Sequence, residues 1–548
     1  MSSSLFRKKS VAEAMDDAKS ESDHGQGLRK VLRVRDLTSM GIAALIGAGI
    51  FSTIGQAAYN GGPGVVFLFI IIAVTCGFTA LCYAEFAARV PVAGSAYTYS
   101  YVSIGEIVAW IIGWALIMEY AIGNVVVSIS WSSYFVNLLE GLGISFPAWL
   151  ATDSVTAENL YNLAVTNGQS TDGLAWATAP VIAGWRVILN VPAFIIIVLI
   201  TVLAYIGISE SKKSANFMVG MKLVVLAIIV IIGFFHISTD NWNPFLPNGL
   251  KGILSGVSAI FFAYIGFDAI STTAEECANP QRDLPRGMIY SLLICTGIYV
   301  VVTLVITGMV NYAEFNHVAD PLAYVFEKIN MPKIGYAVSV SAVVAATSVL
   351  LVFQLGQPRI WMSMSRDGLL PKKFSAIHPK FHTPWFATIV TGIVVGIPSL
   401  FVDIVIVTDL TSIGTLFAFV LVCAGVLNLP RRENTGGESR FRLPYINGAW
   451  FCLPLFLVFV YFSWSRVADA FASPVDDPLF FIFIIIATVI VGLTTVRKLS
   501  LIPVLGMTFC LYLMVEIPAR SWVVFFVWMA LGLVVYFSYG YRRSHLNK

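Results

Sequence analysis

Charged side chains are scarce in this chain. Only 12% of its 548 residues are Asp, Glu, Lys or Arg, whereas 57% are hydrophobic. Soluble domains carry about 25% charged residues, so the composition excludes a set of water-soluble domains. Apolar runs of about 20 residues, long enough to cross a bilayer as a helix, recur from residue 37 almost to the C-terminus. Because period-two alternation is absent, the sequence predicts an all-α, polytopic membrane protein.

Several kinds of site are also missing. The chain has 7 cysteines and no CxxC pair, which argues against a disulfide framework or a structural zinc site. A net charge of +3 without a basic stripe argues against a nucleic-acid partner. Neither a P-loop nor a cluster of catalytic residues is visible, so we expect neither an ATP-driven pump nor an enzyme. We expect no metal and no organic cofactor; the expected partners are the lipid bilayer and a small-molecule substrate.

The apolar runs number fourteen, so both termini are expected on one side of the membrane. Cytoplasmic loops are enriched in lysine and arginine. With cytoplasmic termini, most of the 34 Lys and Arg residues fall on the cytoplasmic side, including those at 7–9, 29–35, 372–373 and 431–442. The plasma membrane is the expected location. The spans lie at about 37–59, 64–88, 106–140, 187–208, 215–236, 250–275, 287–311, 335–364, 384–402, 406–430, 448–468, 478–496, 499–517 and 521–541.

Two of these runs, the first and the sixth, contain residues that interrupt a helix. The first reads GIAALIGAGIFSTIG at residues 41–55, and each glycine costs about 1 kcal/mol of helix stability relative to alanine. The sixth reads GVSAIFFAYIGFDAIST at residues 256–272, with Gly266 and Asp268 near its middle. Matching interruptions in two halves of a chain indicate a transporter built from inverted repeats, with its substrate site at the breaks.

Such breaks supply the chemistry that a zwitterion needs. Amides at the start of one half-helix attract a carboxylate, and carbonyls at the end of the other suit an ammonium group. Together they predict a receptor for the backbone of an α-amino acid; the alternative is that the glycines only permit close helix packing. The residues expected at the first break are Ile46, Gly47, Ala48, Gly49 and Ile50, of which the last three offer amides. Those expected to offer carbonyls at the second break are Phe262, Ala263 and Ile265.

Further motifs follow in a fixed order along the chain. They are GAGIF at 47–51, CYAEFAARVPVAGSAYTYSYVSIGE at 82–106, FFAYIGFDAISTTAEECANPQRDLPRG at 261–287, QPRIWMSMSRDGLLP at 357–371 and DLTSIGTLFAFVLVCAGVLNLPR at 409–431. In these segments the sequence resembles the cationic amino acid transporter branch of the amino acid–polyamine–organocation superfamily. Residues 502–540 resemble the additional C-terminal helix pair of that branch, and the resemblance extends from about residue 30 to 543.

The resemblance implies a LeuT-like core of two five-helix inverted repeats that works by alternating access. The first repeat would occupy residues 37–236 and the second 250–430. A cytoplasmic segment at 1–36 would precede them, and peripheral helices would follow at 448–541. Phe261 or Phe262 would close the substrate site as an aromatic lid. Lys222 resembles the lysine that replaces a sodium ion between spans one, five and eight in proton-coupled relatives.

Two charged residues lie deep within the predicted spans, where each costs at least about 2.5 kcal/mol. Lys222 is in span five and Glu119 is in the middle of span three. Burial disfavours a charged lysine, so Lys222 is a candidate for releasing a proton during transport; the alternative is that its long side chain reaches the cytoplasmic interface. The Glu119 side chain is too short to reach either membrane interface. It either binds a proton, receives a cationic substrate side chain or forms a structural hydrogen bond.

Four further charged residues are candidates for gates. Glu85 and Arg89 lie four residues apart at the cytoplasmic end of span two, where an ordinary helix-surface ion pair is the alternative. Arg359 in span eight either joins such a gate or faces the lipid headgroups. Asp268 follows the second break, where it either contacts substrate or caps the second half of the helix.

These observations predict a secondary active transporter that imports L-amino acids, with the proton as the coupling ion. Bacterial relatives that take small neutral amino acids resemble this chain in having residues like Glu119 and Lys222, so a small neutral substrate such as alanine is preferred. The family resemblance leaves open two alternatives. One is a transporter for arginine, lysine or ornithine, and the other is an amino-acid exchanger.

Overall fold

The chain was analysed as a computed structural model that describes residues 5–11, 13, 30–182, 184–316, 318, 320–429 and 441–547. This part of the protein is mostly helical. Residues 14–29 and 430–440, which carry part of the predicted cytoplasmic positive charge, lie outside the described residues.

The first half of the chain runs from the first break region to the end of predicted span five. Its helices are α1 (Val34–Leu45), α2 (Ile54–Gly61), α3 (Val65–Arg89), α4 (Ala96–Ser103), α5 (Glu106–Gly141), α6 (Ser154–Thr166), α7 (Ala175–Thr178), α8 (Val191–Ile206) and α9 (Ile208–Phe234). An antiparallel hairpin of β1 (Val181–Ile182) and β2 (Trp185–Arg186) follows α7. The segment between α5 and α8 therefore contains α6, α7, a short 3₁₀-helix at Ala148–Leu150 and this hairpin.

The second half begins with short helices and continues with long ones. They are α10 (Gly249–Leu254), α11 (Val257–Phe262), α12 (Pro280–Met309), α13 (Pro321–Lys328), α14 (Pro332–Arg366), α15 (Trp385–Ser399), α16 (Ile404–Asn428), α17 (Cys452–Phe462), α18 (Trp464–Ala472), α19 (Pro478–Arg497), α20 (Leu501–Val515), α21 (Ala519–Val535) and α22 (Tyr541–Arg543). Proline occupies the first turn of α12, α13, α14 and α19. Proline has no N–H group, and none is needed at these positions, because the first N–H groups of a helix have no acceptor within it.

The helices suit a membrane protein with many spans. Within the described residues, eight helices are long and apolar enough to cross a membrane, counting 34–89 as one stretch. The number is nine if α17 and α18, bent by 79° against each other, form one span. Three shorter apolar helices, α8, α15 and α20, accompany them. The polytopic helical fold is thus confirmed, whereas the count of fourteen spans stays a prediction.

The long helices pack against one another in two groups. α5 packs along α14 and also against α16, while α12 packs against α3 and α1. In the most apolar part of α5, 83% of residues are buried, compared with 28% for the helical stretch at 519–543. α5 therefore lies in the interior of the protein, whereas the helical stretch at 519–543 lies largely on its surface.

Both described termini meet at the end of α5 that begins with Glu106. The buried Glu106 carboxylate accepts hydrogen bonds from Arg7 Nη2 at 3.0 Å, Tyr536 at 2.8 Å and Ser544 at 2.5 Å. Tyr101 donates to it from α4 at 3.0 Å. The N-terminal and C-terminal segments consequently lie on the same face of the protein.

We expect Glu106→Ala to destabilise the protein by about 3 kcal/mol or more, because it removes the buried acceptor of an ion pair with Arg7 and of hydrogen bonds from three hydroxyls. The measurement is the midpoint of thermal unfolding in detergent. Glu140→Gln is the matched control, since Glu140 is exposed at the other end of α5. Equal midpoints for the two variants would show that Glu106 does not hold the termini.

Candidate functional site

The first interruption lies between α1 and a π-helix at Gly49–Thr53. α1 ends at Leu45, and Ile46 takes an extended conformation with φ −80° and ψ 92°. Because the first amides of a helix have no acceptor within it, the π-helix presents N–H groups to the gap. The Ile50 amide donates to the Gly47 carbonyl at 3.2 Å. The amides of Ala48 and Gly49 are therefore the remaining candidates for binding a carboxylate.

The second interruption separates α11 from a 3₁₀-helix at Asp268–Glu276. α11 ends at Phe262, and Gly266 has φ +119°, a conformation that residues with a side chain rarely adopt. A Cβ atom on Gly266 would lie 2.6 Å from the Cβ atom of Ala44 in α1. Glycine is thus required here for its conformation and for the close approach of the two chain segments.

The two interruptions touch each other. A Cβ atom on Gly49 would lie 2.4 Å from the Cα atom of Ala263, so only glycine lets the segments come this close. The Thr53 hydroxyl lies 2.7 Å from the Gly49 carbonyl and 2.9 Å from that of Ala259 in α11, and donates to one of them at a time. The structure therefore brings the predicted residues of both breaks together in one place.

A tyrosine in α12 joins the carbonyl ends of both breaks. The Tyr299 hydroxyl lies 2.6 Å from the Leu45 carbonyl and 2.9 Å from the Ala263 carbonyl, and its single proton serves one of them at a time. The Phe262 carbonyl accepts from the Ile265 amide at 3.3 Å. Of the three predicted carbonyls, two are thus already engaged, and that of Ile265 is the remaining candidate for an ammonium group.

Lys222 extends from α9 to the end of α1. Its Nζ atom donates to the carbonyls of Ala43 at 3.0 Å and Ile46 at 2.7 Å, and to the Ser348 hydroxyl at 2.9 Å. Lys222 is fully buried, so its side chain does not reach the cytoplasmic interface. All three N–H groups of the ammonium have neutral oxygen acceptors. Lys222 thereby connects α1, α9 and α14 without a carboxylate.

The two candidates for an aromatic lid differ in their surroundings. The Phe261 ring packs edge-on against Phe419 of α16, with ring centroids 6.1 Å apart, and is fully buried. Phe262 ends α11 and keeps 6% exposure. Phe261 therefore belongs to the packing between helices, and Phe262 is the better placed of the two to cover a substrate.

Glu119 and Asp268 form a second set of buried charges. They are 2% and 1% exposed and close enough for their charges to interact. Tyr120 donates to Asp268 Oδ2 at 3.4 Å, but Glu119 Oε2 and Asp268 Oδ1 have no hydrogen-bond partner in the described part of the chain. Asp268 is the first residue of the 3₁₀-helix, and Phe267 occupies the N-cap position. Because two adjacent carboxylates in a dry interior would repel strongly, this pair is a candidate for binding a proton.

The side of the breaks that faces α14's C-terminal end is closed by ion pairs. Arg359, buried in α14, binds Glu276 through two bonds, Nη2–Oε1 at 2.6 Å and Nε–Oε2 at 2.9 Å. The Glu276 carbonyl accepts from the amides of Val31 and Leu32, just before α1. Arg359 thus fastens the segments that flank both breaks and does not face lipid.

Glu85 and Arg89 are part of a further contact on this side. Arg89 Nη2 lies 2.5 Å from Glu85 Oε1, and the Leu443 amide donates to Glu85 Oε2 at 2.7 Å. The Glu85 side chain is only 5% exposed. The pair is therefore more than a helix-surface ion pair, since it also holds the segment that precedes α17.

A polar cavity of about 270 Å³ lies on the other side of the breaks. Its lining includes Ser52, Tyr134, Asp153 and Asp320. Tyr134 of α5 donates to the Phe51 carbonyl at 2.6 Å. Burial raises the pKa of Asp320, which precedes α13, to about 6. The cavity offers polar and acidic groups beside the part of the first interrupted helix that follows the break.

Three residues of the site were not predicted from the sequence. Tyr299 and Ser348 are single polar residues within apolar runs, and such residues give no periodic signal. Glu276 lies in the AEE stretch of a quoted motif, directly after the second break. Two consecutive glutamates directly after a break in a span are unusual, and this feature of the sequence could have indicated Glu276.

Comparison with known proteins places this geometry in a family. The model of the family described as "Amino acid permease" matches residues 32–491, and that of the "C-terminus of AA_permease" matches residues 499–544. Over its whole length the chain is 35% identical to the whole "Branched-chain amino acid permease BcaP" of Bacillus subtilis.

Other relatives carry different names. The chain is 34% identical to the "Methylthioribose transporter" of Bacillus subtilis, with both proteins covered completely. It is also 34% identical to the "Cationic amino acid transporter 9, chloroplastic" of Arabidopsis thaliana, over 80% of this chain and 73% of the relative. All of these relatives are transporters and none is an enzyme. The chain belongs to the amino acid permease family of the amino acid–polyamine–organocation superfamily.

Proposed function

We propose that this protein imports L-amino acids across the plasma membrane by proton symport. The observation that carries the proposal is the contact between two interrupted helices at Gly49 and Ala263, with Lys222 bound to the end of one of them. In the proposed arrangement, residues 37–236 and 250–430 form two inverted five-helix repeats of a LeuT-like core within fourteen spans. Both termini are cytoplasmic, which agrees with their meeting at Glu106.

The breaks suit the two charged groups of an amino acid. The amides of Ala48 and Gly49 bind the carboxylate, since backbone N–H groups at a helix start favour an anion. The Ile265 carbonyl and, when Tyr299 turns to Leu45, the Ala263 carbonyl bind the ammonium group. Phe262 covers the bound molecule.

Proton coupling rests on an imbalance of buried charge. Lys222 has neutral acceptors only, so the loss of its proton removes a buried charge that no anion balances. The charged ammonium also holds the end of α1 through the Ala43 and Ile46 carbonyls. The neutral amine keeps only two N–H groups for three acceptors and loses its charge, so release of the proton weakens the hold of Lys222 on α1.

Alternating access requires one side to close while the other opens. The ion pair of Arg359 with Glu276 fastens the segments around both breaks on one side, and the polar cavity lies on the other. We propose that the cavity receives substrate from outside and that breaking the ion pair opens the cytoplasmic side.

We propose a small neutral amino acid as the preferred substrate. One observation favours a cationic amino acid instead, because the Glu119 and Asp268 carboxyls have no cationic partner among the described residues and offer one a place to bind. The relatives named for branched-chain and cationic amino acids represent both classes.

In proteoliposomes, we expect an inside-alkaline gradient to stimulate amino-acid uptake by the wild type and to have no effect on Lys222→Met. The variant keeps the volume of the side chain and removes the proton. Lys251→Met is the control, since Lys251 is exposed before α11. Equal stimulation of all three proteins contradicts a role of Lys222 in coupling.

We expect Gly49→Ala to lower kcat/KM for uptake by at least about tenfold, equivalent to about 1.4 kcal/mol, because its Cβ collides with Ala263. Gly77→Ala in α3 is the control, since its Cβ meets no atom within 4 Å. Uptake by Gly49→Ala at the rate of the control would refute the placing of the substrate at the breaks.

The substrate class follows from a thermal-shift measurement on purified protein with each proteinogenic amino acid and with methylthioribose. We expect the largest increase of the unfolding midpoint with alanine or another small neutral amino acid, because bound ligand stabilises the folded state. Stabilisation by arginine and lysine alone would make the protein a cationic amino acid transporter. Stabilisation by methylthioribose alone would exclude an amino-acid substrate.

A further inference from the structure

A group of buried polar side chains near Glu119 and Asp268 has no part in the site described above. Tyr83 of α3, Tyr99 of α4 and Ser95, which precedes α4, are each fully buried. Their hydroxyl oxygens have no hydrogen-bond partner in the described part of the chain. We call these three residues the Tyr83 cluster.

The Tyr83 cluster adjoins the two carboxyls. The Tyr83 hydroxyl interacts electrostatically with Asp268 and Glu119, and Ser95 lies beside it without reaching hydrogen-bonding geometry. The ring centroids of Tyr83 and Tyr99 are 6.0 Å apart. Tyr99 in turn lies next to Ser271, whose hydroxyl donates to the Asp268 carbonyl at 2.6 Å. The free oxygens of Glu119, Asp268 and the cluster therefore occupy one continuous region.

Polar atoms in such a region require partners. Leaving one buried hydroxyl without a hydrogen bond costs about 1–3 kcal/mol, and folded proteins leave few of them unpaired. Several adjacent unpaired groups are the setting in which buried water is found, because each water bonds to about three of them. The five unpaired oxygens of Tyr83, Tyr99, Ser95, Glu119 and Asp268 are therefore candidate partners for ordered water.

The Tyr83 cluster extends towards the closed side of the protein. Ser95 stands in the turn between α3 and α4, where the Ala93 amide donates to Glu275 Oε1 at 3.1 Å. Glu275 also binds Arg366 at 2.8 Å, and both of these side chains are only partly buried. The charged groups around this path are Glu119 and Asp268 at its inner end and the pairs Glu275–Arg366, Glu276–Arg359 and Glu85–Arg89 at its outer end.

We propose that the Tyr83 cluster and its water conduct a proton between the Glu119–Asp268 pair and the cytoplasm. The protonated carboxyl of the pair gives its proton to an adjacent water and becomes a carboxylate. The proton passes along water and hydroxyls, each of which accepts one proton and releases another, and leaves beside Glu275. This proposal rests on the proposed proton symport.

The route is separate from that of the substrate. The cluster is carried by α3 and α4, and the Tyr83 ring packs against Phe267 and Phe419. The first break, in contrast, is held by Lys222, Tyr299 and Ser348 from α9, α12 and α14. The groups of the proposed proton route and those that hold the first break are accordingly supplied by different helices.

The test uses Tyr83→Phe, Tyr99→Phe and the double variant. Each change removes an oxygen that bonds no protein group, so the midpoint of thermal unfolding is expected to stay the same or to rise. In proteoliposomes loaded with a pH-sensitive dye, we expect alanine-driven proton influx to fall by at least about tenfold in the double variant, a rise of about 1.4 kcal/mol in the barrier. Exchange of internal for external alanine by the double variant is expected to persist, because exchange does not require the Glu119–Asp268 pair to release its proton.

Tyr101→Phe is the matched control, since Tyr101 also lies in α4 but its hydroxyl binds Glu106. It is expected to keep the proton influx of the wild type. Influx in the double variant equal to the wild type would overturn the route alone. Loss of both alanine exchange and proton influx in the double variant would also overturn the route, because it would show that the two tyrosine hydroxyls are needed for the structure. Absence of substrate-driven influx in the wild type would refute proton symport and this route with it.

Discussion

A helix that is interrupted inside a bilayer leaves backbone groups for which no water is available, and the site of this protein is built around that constraint. Lys222 binds the Ala43 and Ile46 carbonyls, and Tyr299 lies within reach of the Leu45 and Ala263 carbonyls. These bonds allow α1 and α11 to end within the protein. They also leave other backbone groups, the amides of Ala48 and Gly49 and the Ile265 carbonyl, which we propose bind the zwitterionic substrate.

The same constraint connects substrate binding to charge. The side chain that binds the end of α1 is an ammonium without an anion among its hydrogen-bond partners, and the carboxyls of Glu119 and Asp268 lack a cation among the described residues. Each unbalanced charge in a dry interior is unfavourable, which makes both sites candidates for exchanging the coupled proton. Because Lys222 contacts the end of α1, we propose that a change in its protonation alters the conformation of the first break.

The long helices could be predicted from the sequence, and the contacts between them could not. The runs at 106–140 and 335–364 correspond closely to Glu106–Gly141 and Pro332–Arg366, because long apolar runs have only one way to cross a membrane. The interruptions were visible as glycines at 47, 49 and 266. Arg359 and Glu276 are separated by 83 residues, and no local pattern marks their pairing. The hydroxyls of Tyr299 and Ser348 are recognised as parts of the site only once the helices are packed.

Proton symport is the central claim, and the reversal potential of the wild-type protein tests it most directly. Proteoliposomes with a fixed alanine gradient are exposed to a series of membrane potentials, and the potential at which net alanine flux stops gives the number of charges moved per molecule. A coupled proton predicts one positive charge per alanine, with a reversal potential that shifts as the pH gradient changes. A flux that depends on the alanine gradient alone, at every potential and pH gradient, would contradict it.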